Sequence, residues 1–355
     1  MEPLAAVTRN NYIESVHYGL VCIVDSTGKI LYKLGDPNTK IYFRSSAKPI
    51  QVIPLIQSGA YKELGLSKKE IAIACASHSG QKIHQSTAGE ILNKLDLLYT
   101  DLHCGTMLPY NEEEQKRLLA ENVAPSVFHC SCSGKHAAML ALSKYRGLSI
   151  KDYENITHPI QQEILKTISE FTGEALNTIT TGIDGCGLPI YLLPIYSIAL
   201  SYARLVNYAQ DTTHPYSDSC NLVFDAMNQY PEMVAGDFEF CTELMRVTNG
   251  KLIAKVGSEA VYCIGIKNNN LGICVKISDG NERAVYPIVI QLLRELRIID
   301  ENEFSRLKHW HKPILKNNLG DKIGEISTIF DLKKTNHRKD ILGRKLEEII
   351  PPDYS

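Results

Sequence analysis

Strand-type segments occur near both ends of this 355-residue chain, and they constrain its fold more than any other feature. The segment VHYGLVCIVDSTGKILYKLG, which begins at Val16, predicts two strands joined by a turn at Asp25–Gly28. After Gly250, the segment KLIAKVGSEAVYCIGIKNNNLGICVKISDG predicts three short strands separated by turns that contain Gly and Asn. Helical patterns fill the region between them. We therefore predict a sheet built from both chain ends, with a helical lobe inserted.

The predicted organisation is one catalytic domain, 1–355, made of two lobes. The sheet lobe covers approximately residues 10–60 and 245–331, the helical lobe covers approximately 61–244, and residues 332–355 form a tail or peripheral helix. The first predicted helix has Ser45 or Ser46 as its N-cap, ends at Gly59 and is kinked by Pro54. The other predicted helices cover residues 83–98, 112–120, 135–145, 159–170, 194–208 and 284–297.

Composition indicates an ordinary globular protein. The net charge of −2 implies no basic surface for nucleic acid. The first residues, MEPLAAVTRNNYIES, lack the pattern of a signal peptide, and the apolar runs are too short for a membrane span. We therefore expect a soluble cytoplasmic protein in which most of the ten cysteines are reduced and buried. No Gly-rich phosphate loop supports a nucleotide cofactor.

The stretch FRSSAKPIQ places Ser45 three residues before Lys48. On a helix this spacing puts both side chains on one face, so the lysine can serve as the base that a serine nucleophile needs. The lysine must be neutral to accept the proton, which requires burial or a second cation nearby. Because S-x-x-K also arises often by chance, the motif needs support from the rest of the chain.

Two later motifs give this support. Ser77, in the turn SHS, follows an apolar strand-like run, and Lys255 lies on a predicted strand two residues before Gly257. The order S-x-x-K, serine turn and K-x-G is typical of serine β-lactamases and penicillin-binding proteins. Two Ser–Lys pairs, Ser45 with Lys48 and Ser77 with Lys255, are therefore expected to face one cleft. Each lysine should lower the pKa of the other through like-charge repulsion.

Thiols and nitrogen donors cluster in HCSCSGKHAAML and TGIDGCGLP. Soft thiolates with nitrogen ligands suit zinc, although the spacing matches no zinc-finger pattern. From residue chemistry alone, the candidate ligands are Cys130, Cys132, His136 and Cys186. A loop with passive thiols before a helix is an equally open interpretation. Asp184, between glycines, is either a turn residue or a group that orients a substrate amine or a ligand lysine.

Six motifs, FRSSAKP, ASHSG, LHCG, CSGKHAAML, GIDGCGLP and AKVGSEAVY, occur in this order. Together they resemble the Rhizobium-type, or class 3, L-asparaginases over roughly residues 10–331. The resemblance implies an α/β (α+β) fold similar to serine β-lactamases and glutaminases. It also implies hydrolysis of L-asparagine to L-aspartate and ammonia, a zinc site beside paired Ser–Lys tandems, and a homodimer.

The resemblance also assigns roles to individual residues. Ser45 becomes the nucleophile with Lys48 as its base, and Ser77 with Lys255 forms the second tandem. The implied zinc ligands are Cys132, Lys135 and Cys186, with water as the fourth ligand, in place of the set that includes Cys130 and His136. The implied substrate-binding residues are Arg44, Asp184 and His136, of which Arg44 and Asp184 are expected to face the charged ends of the amino acid.

Some positions depart from the family pattern. Cys130 and Ser131 replace an Asn-containing lead-in, Met107 replaces a histidine, and Gln81 replaces an acidic residue. These departures bear on affinity and specificity more than on the reaction class. Two alternatives stay open: a related serine amidohydrolase (a glutaminase, a peptidase or a β-lactam-active enzyme), and a zinc-stabilised amino-acid binding protein without catalysis. One methylene separates asparagine from glutamine, so the sequence leaves the preference between them undecided.

Overall fold

The computed structural model describes residues 1–332, so nearly all of the predicted tail lies outside the described residues. The strands are β1 Glu2–Arg9, β2 Tyr12–Asp25, β3 Ile30–Leu34, β4 Lys40–Tyr42, β5 Thr180–Ile183, β6 Pro189–Pro194, β7 Leu252–Gly257, β8 Val261–Ile266, β9 Leu271–Ile277, β10 Ile314–Lys316 and β11 Lys322–Thr328. The helices are α1 Lys48–Gln51, α2 Ile53–Gln57, α3 Ala60–Glu63, α4 Lys68–Ala74, α5 Lys82–Lys94, α6 Glu112–Ala120, α7 Ser133–Tyr145, α8 Pro159–Thr172, α9 Ile195–Tyr208, α10 Ser217–Gln229, α11 Pro231–Val234, α12 Phe240–Thr248, α13 Val285–Glu295 and α14 Glu301–His311. Short 3-10 helices cover Arg44–Ala47, Tyr99–Asp101, Val127–His129, Leu176–Thr178 and Glu282–Ala284.

The larger sheet joins the two ends of the chain. Its order is β10-β11-β1-β2-β9-β8-β7, with β3 paired to β2, and all of these pairs are antiparallel. Strands β1 to β3 come from the first part of the chain, and β7 to β11 come from the last part. This confirms the predicted α/β (α+β) fold with an antiparallel sheet from both chain ends, including the predicted β2–β3 hairpin.

A second, smaller sheet lies outside the predictions. It has the order β4-β6-β5, and it pairs residues 40–42 with residues 180–194 of the intervening region. Strand β4 leads directly into the 3-10 turn that contains Ser45, while the connection between β5 and β6 carries Asp184 and Cys186. This sheet therefore brings two of the predicted site segments next to each other.

Helix α9 packs directly against the middle of the larger sheet because two glycines leave room for it. Gly265 on β8 and Gly272 on β9 are directly opposite each other. A Cβ atom on Gly272 would overlap the carbonyl oxygen of Ala199 and lie 2.6 Å from the nitrogen of Ala203. A Cβ atom on Gly265 would lie 2.7 Å from a methyl carbon of Val206. The absence of side chains at both glycines therefore fixes how closely α9 approaches the sheet.

The segment after Ser45 is helical, as predicted, but it is divided. Helix α1 ends before Val52, and α2 begins with Pro54 in its first turn, where the missing N–H costs no hydrogen bond. The predicted serine N-cap is wrong, because neither Ser45 nor Ser46 caps the helix through its side chain. The hydroxyl of Ser46 instead donates to the carbonyl oxygen of Phe43 at 2.5 Å.

The apolar run before the serine turn is a helix, which corrects the strand-like interpretation. Ser67 caps α4 by accepting from the backbone N–H of Glu70, whose carboxylate accepts from the backbone N–H of Ser67 in return. This capping box is a helix-start pattern that can be read in the sequence SKKE. No helix within residues 1–332 combines the length and the apolarity that crossing a bilayer requires.

We predict that Gly272→Ala lowers the free energy of unfolding by about 3 kcal/mol or more, because the added methyl group meets backbone atoms that no rotamer change can move. Urea denaturation of the variant and the wild type measures this difference. Gly89→Ala, on α5, is the control, since its nearest neighbour would be the Phe128 ring at 3.9 Å. Equal denaturation midpoints for Gly272→Ala and wild type would contradict this account of the packing.

Candidate active site

The Ser45 turn is held rigidly from two sides. Arg44 adopts a positive φ of 50°, which is uncommon outside glycine and directs the chain into the 3-10 turn. The backbone N–H of Phe43 donates to the carbonyl oxygen of Tyr191 at 2.9 Å. From α9, the hydroxyl of Tyr202 donates to the carbonyl oxygen of Ser46 at 2.7 Å. Ser45 is 7% exposed, and no hydrogen bond of its hydroxyl is found within residues 1–332.

Two buried lysines converge on the hydroxyl of Ser77. The distance from Ser77 Oγ is 3.0 Å to Lys48 Nζ and 2.8 Å to Lys255 Nζ, and both lysines are completely buried. Lys48 also donates to the carbonyl oxygen of Ala76 and lies 3.3 Å from the Sγ atom of Cys132. The structure thus brings the predicted pair Ser77 and Lys255 together. It directs the Lys48 amine to Ser77, whereas the sequence analysis paired Lys48 with Ser45.

The environment of Lys255 favours a neutral amine. Burial and, after it, the positive charge of Lys48 lower the pKa of Lys255 to about 7. The direction agrees with the predicted repulsion between the lysines. Lys255 also donates to the carbonyl oxygen of Val256 at 2.7 Å. A lysine with a pKa near neutrality can exchange protons with a neighbouring hydroxyl at physiological pH.

The turn that carries Ser77 is held by backbone hydrogen bonds to a segment far away in the sequence. The backbone N–H of Ser77 donates to Val234 at 3.0 Å, and that of Ser79 donates to Ala235 at 2.7 Å. Gly236 follows with a φ of 132°, and any Cβ atom there would overlap the hydroxyl of Ser79. The loop after α11 therefore fixes the position of the serine turn, and nothing in the sequence pattern indicated this role.

Two thiols and one amine lie together beside the lysines. Cys132 precedes α7, Lys135 lies in its first turn, and Cys186 lies in the β5–β6 connection; all three are buried. Hydrogen bonds from the thiols of Cys130 and Cys186 hold the pKa of Cys132 below its usual value. Burial lowers the pKa of Lys135, but the sulfur groups of Cys186 and Cys132 outweigh that effect and raise it. The arrangement combines soft sulfur donors with one nitrogen donor, a set that suits zinc.

Lys135 is only 4% exposed, and its amine lies near the sulfur groups of Cys132 and Cys186. A lysine amine beside two thiols can act as a metal ligand once it has lost its proton. No cluster of three or more His, Cys, Asp or Glu side chains with metal-binding geometry occurs in the described residues. The candidate set here consists of two thiols and one lysine amine, and its chemistry fits a metal ion.

The other two ligands suggested by residue chemistry have different neighbours. The thiol of Cys130 donates to the carbonyl oxygen of Cys104 at 3.5 Å, and its pKa is raised through hydrogen bonds with Cys104 and Cys132. His136 Nδ1 lies 2.6 Å from the hydroxyl of Tyr153, and its Nε2 atom is buried without a hydrogen-bond partner in residues 1–332. Burial lowers the pKa of His136 to about 3, so its ring is neutral.

Arg44 and Asp184 form an ion pair at 3.0 Å between Nη2 and Oδ1. The Asp184 side chain is 7% exposed and the Arg44 side chain is 20% exposed. The Arg44 Nε atom is buried, and no acceptor for it lies in residues 1–332. The guanidinium group of Arg44 therefore has an N–H group without an acceptor. Because Arg44 directly precedes Ser45, this cation is in a position suited to an anionic group of a ligand.

Sequence reasoning missed two residues that fix this site. Tyr202 contacts the Ser45 turn from α9, and His78 joins the Ser77 turn to Ser133 through its Nε2 atom at 2.9 Å. The motif SHS contains His78, but its spacing does not indicate that the partner is Ser133. No sequence pattern marks Tyr202 as a site residue, because its contact depends on how α9 packs on the sheet.

Comparison with known proteins identifies the family. The sequence model of the L-asparaginase II family matches residues 5–328. The chain therefore belongs to the L-asparaginase II family, which confirms the resemblance carried by the six motifs. Membership makes it an L-asparaginase-type amidohydrolase, a hydrolase that acts on amides of small molecules.

Other comparisons give only distant similarities. No curated protein sequence matches the chain. Among solved structures, it is similar to a putative β-lactamase from Bacteroides dorei, with 11% identity, a TM-score of 0.41, and 78% of this chain and 93% of that chain covered. It is also similar to simvastatin synthase (LovD) from Aspergillus terreus, with 11% identity, a TM-score of 0.33, and coverages of 73% and 87%. At this identity, neither similarity informs the reaction of this chain.

We predict that Lys255 titrates near pH 7, being charged below that pH and neutral above it. In Lys48→Met the pKa of Lys255 should rise, because a like charge is removed, yet stay below its ordinary value because burial remains. Chemical shifts of ¹³Cε-labelled lysine, with Lys255 assigned through Lys255→Met, measure both values. The exposed-lysine variant Lys62→Met is the control and should leave the midpoint unchanged. A Lys255 midpoint that does not move in Lys48→Met would contradict the coupling.

Proposed function

We propose that this protein is an L-asparaginase that hydrolyses L-asparagine to L-aspartate and ammonia, with Ser45 as its nucleophile. The observation that carries the proposal is the convergence of Lys48 and Lys255 on the hydroxyl of Ser77, beside the Ser45 turn. Two buried bases around one hydroxyl supply a route for protons to and from a reacting amide. A protein that only binds an amino acid has no need of such a pair.

The proposed reaction proceeds through a covalent ester. Ser45 Oγ attacks the side-chain amide carbon, and Lys48 accepts the hydroxyl proton once its own proton has passed through Ser77 to the neutral amine of Lys255. Ser77 and Lys255 relay a proton to the departing nitrogen, which leaves as ammonia when the C–N bond breaks. Water then attacks the β-aspartyl ester, and its proton passes to the same bases. The C–O bond to Ser45 breaks, the bases return a proton to Ser45 Oγ, and aspartate is released. In this mechanism the Lys48 side chain rotates so that its amine, which bonds to Ser77 in the structure, reaches Ser45.

Substrate recognition is assigned to three side chains. Arg44 has a buried Nε atom without an acceptor in the described residues, which suits the α-carboxylate of the substrate. Asp184, paired with Arg44 through one oxygen, can receive the α-ammonium group through the other. The unpaired Nε2 atom of His136 is available to a ligand polar group. These roles follow from the unmet hydrogen-bond capacity of each side chain.

Zinc held by Cys132, Lys135 and Cys186, with water as a fourth ligand, belongs to the same proposal. The burial of all three side chains and the closeness of the Lys135 amine to both thiols support it. Bound zinc would supply a positive charge that keeps both thiols ionised and orders the loop that contacts Lys48. The homodimer and the cytoplasmic location implied by the resemblance and the composition stay predictions.

We predict that Ser45→Ala lowers ammonia release from L-asparagine at least about a thousandfold while the protein stays folded, because no other group replaces the nucleophile. A coupled ammonia assay and circular dichroism measure the two properties. Ser46→Ala is the matched control, since its hydroxyl is bonded to the carbonyl of Phe43, and it should retain most of the turnover. Full activity in Ser45→Ala would remove Ser45 from the mechanism.

Other substrates and a binding measurement separate the alternative functions. Release of ammonia from L-glutamine at a rate equal to that from L-asparagine would favour a broader amidohydrolase. Turnover of peptides or β-lactams without asparagine hydrolysis would favour the other serine hydrolases. Calorimetric binding of asparagine without any ammonia would favour a binding protein.

We predict that Cys186→Ser and Lys135→Met each lower the zinc content of the purified protein, because each removes one of three protein ligands. Elemental analysis by mass spectrometry after dialysis measures the content. Cys220→Ser changes a thiol that is also buried but lies on α10, and it should leave the zinc content unchanged. Wild-type zinc content in both ligand variants would reject the proposed metal site.

A further inference from the structure

His78 is a buried residue for which the proposed mechanism has no use. It follows Ser77 directly and is completely inaccessible to solvent. Its Nδ1 atom accepts from the backbone N–H of Gly80 at 3.2 Å, so Nδ1 carries no proton in the neutral ring. The proton therefore resides on Nε2, which donates to the hydroxyl of Ser133 at 2.9 Å. Burial, and after it the neighbouring His84, lower the pKa of His78 and keep its ring neutral.

Ser133 lies between two of the proposed metal ligands in the sequence. It is the first residue of α7, directly after Cys132 and two residues before Lys135. We call residues 130–135 the metal loop. The backbone N–H of His78 also donates to the carbonyl oxygen of Ser131 in this loop, at 3.3 Å. His78 thus contacts the metal loop through both its side chain and its backbone, while its neighbour Ser77 bonds to both catalytic lysines.

We propose that His78 is a positioning residue that couples the metal loop to Ser77 through its hydrogen bond with Ser133. The bond holds the serine turn and the metal loop in one relative position, so that order in the loop also fixes Ser77 Oγ between the amines of Lys48 and Lys255. The inference rests on the proposed function and adds a residue to it. It also gives the zinc site an effect on catalysis without direct contact between metal and substrate.

The neighbouring His84 provides a matched control. Its ring stacks on that of His78 with centroids 4.7 Å apart, and it is also completely buried. Its Nδ1 atom accepts from the N–H of Gln81 at 3.1 Å, and its Nε2 atom lies 2.8 Å from the carbonyl oxygen of Glu232. The two rings share burial and proton arrangement. They differ in that the hydrogen bonds of His84 do not reach the metal loop.

The test uses the full-length protein and the variants His78→Ala, Ser133→Ala, their double mutant, His78→Gln and His84→Ala. Zinc affinity is measured by competition with a chromophoric chelator, and kcat and KM are measured with L-asparagine. Thermal unfolding reports the stability of each variant. Loss of a group that hydrogen-bonds a metal ligand typically weakens metal binding by about ten- to a hundredfold. His78 contacts the neighbours of Cys132 and not a ligand, so its effect should lie at the lower end of that range.

We expect His78→Ala and Ser133→Ala each to weaken zinc binding by about tenfold and to lower kcat with little change in KM. The double mutant should lose less zinc affinity than the sum of the two single losses, because both variants remove the bond between His78 and Ser133. His78→Gln should recover much of the loss, since its amide N–H can reach Ser133. His84→Ala should lower the unfolding temperature while zinc affinity and kcat stay near wild type.

Three results would overturn the inference: wild-type zinc affinity in folded His78→Ala, equal losses in His84→Ala, or additive losses in the double mutant. Failure of the proposed function looks different. If wild-type protein binds zinc but releases no ammonia, the asparaginase proposal fails, and the affinity measurements alone decide on His78. If wild-type protein binds no zinc, the coupling is rejected, and ammonia release still decides the reaction.

Discussion

Two buried lysine amines that share one serine hydroxyl form the constraint on which the rest of this structure depends. Burying two like charges close together is unfavourable unless one is neutral or both are compensated. The protein uses both solutions. The pKa of Lys255 falls to about 7, while Lys48 bonds to a carbonyl oxygen and lies 3.3 Å from the Sγ atom of Cys132. The Ser–Lys network and the thiol cluster are therefore electrostatically connected.

The fold brings together segments that are distant in the sequence. Lys48 lies on α1, Ser77 follows α4, and Lys255 lies on β7 at the edge of the larger sheet. Their relative positions depend on α9, which packs on the sheet over Gly265 and Gly272 and contacts the Ser45 turn through Tyr202. Closely packed backbone segments deform little. The packing of α9 therefore helps to hold the lysine amines at hydrogen-bonding distance from the Ser77 hydroxyl.

The position of Cys130 gives this chain a local chemistry of its own. Where the family pattern has an Asn-containing lead-in, the chain has a thiol that lowers the pKa of Cys132. That thiol supports the ionised form of Cys132, the same sulfur that Lys48 approaches. A side chain without a hydrogen-bond donor there would leave the negative charge of Cys132 with less support, so this position can tune both the thiol cluster and the lysine network.

The sequence by itself determined the elements with strong local patterns and the set of chemical groups. Alternation and turn residues defined the β2–β3 hairpin and β7–β9, helical periodicity defined α5 to α9, and the motif order placed Ser77 with Lys255. The β4–β6 sheet was not predictable, because strands of three to six residues carry too little periodicity. Only the tertiary structure decided that Lys48 meets Ser77, that His136 meets Tyr153 and that His78 reaches Ser133. Such pairings depend on the packing of distant segments, and local spacing does not encode that packing.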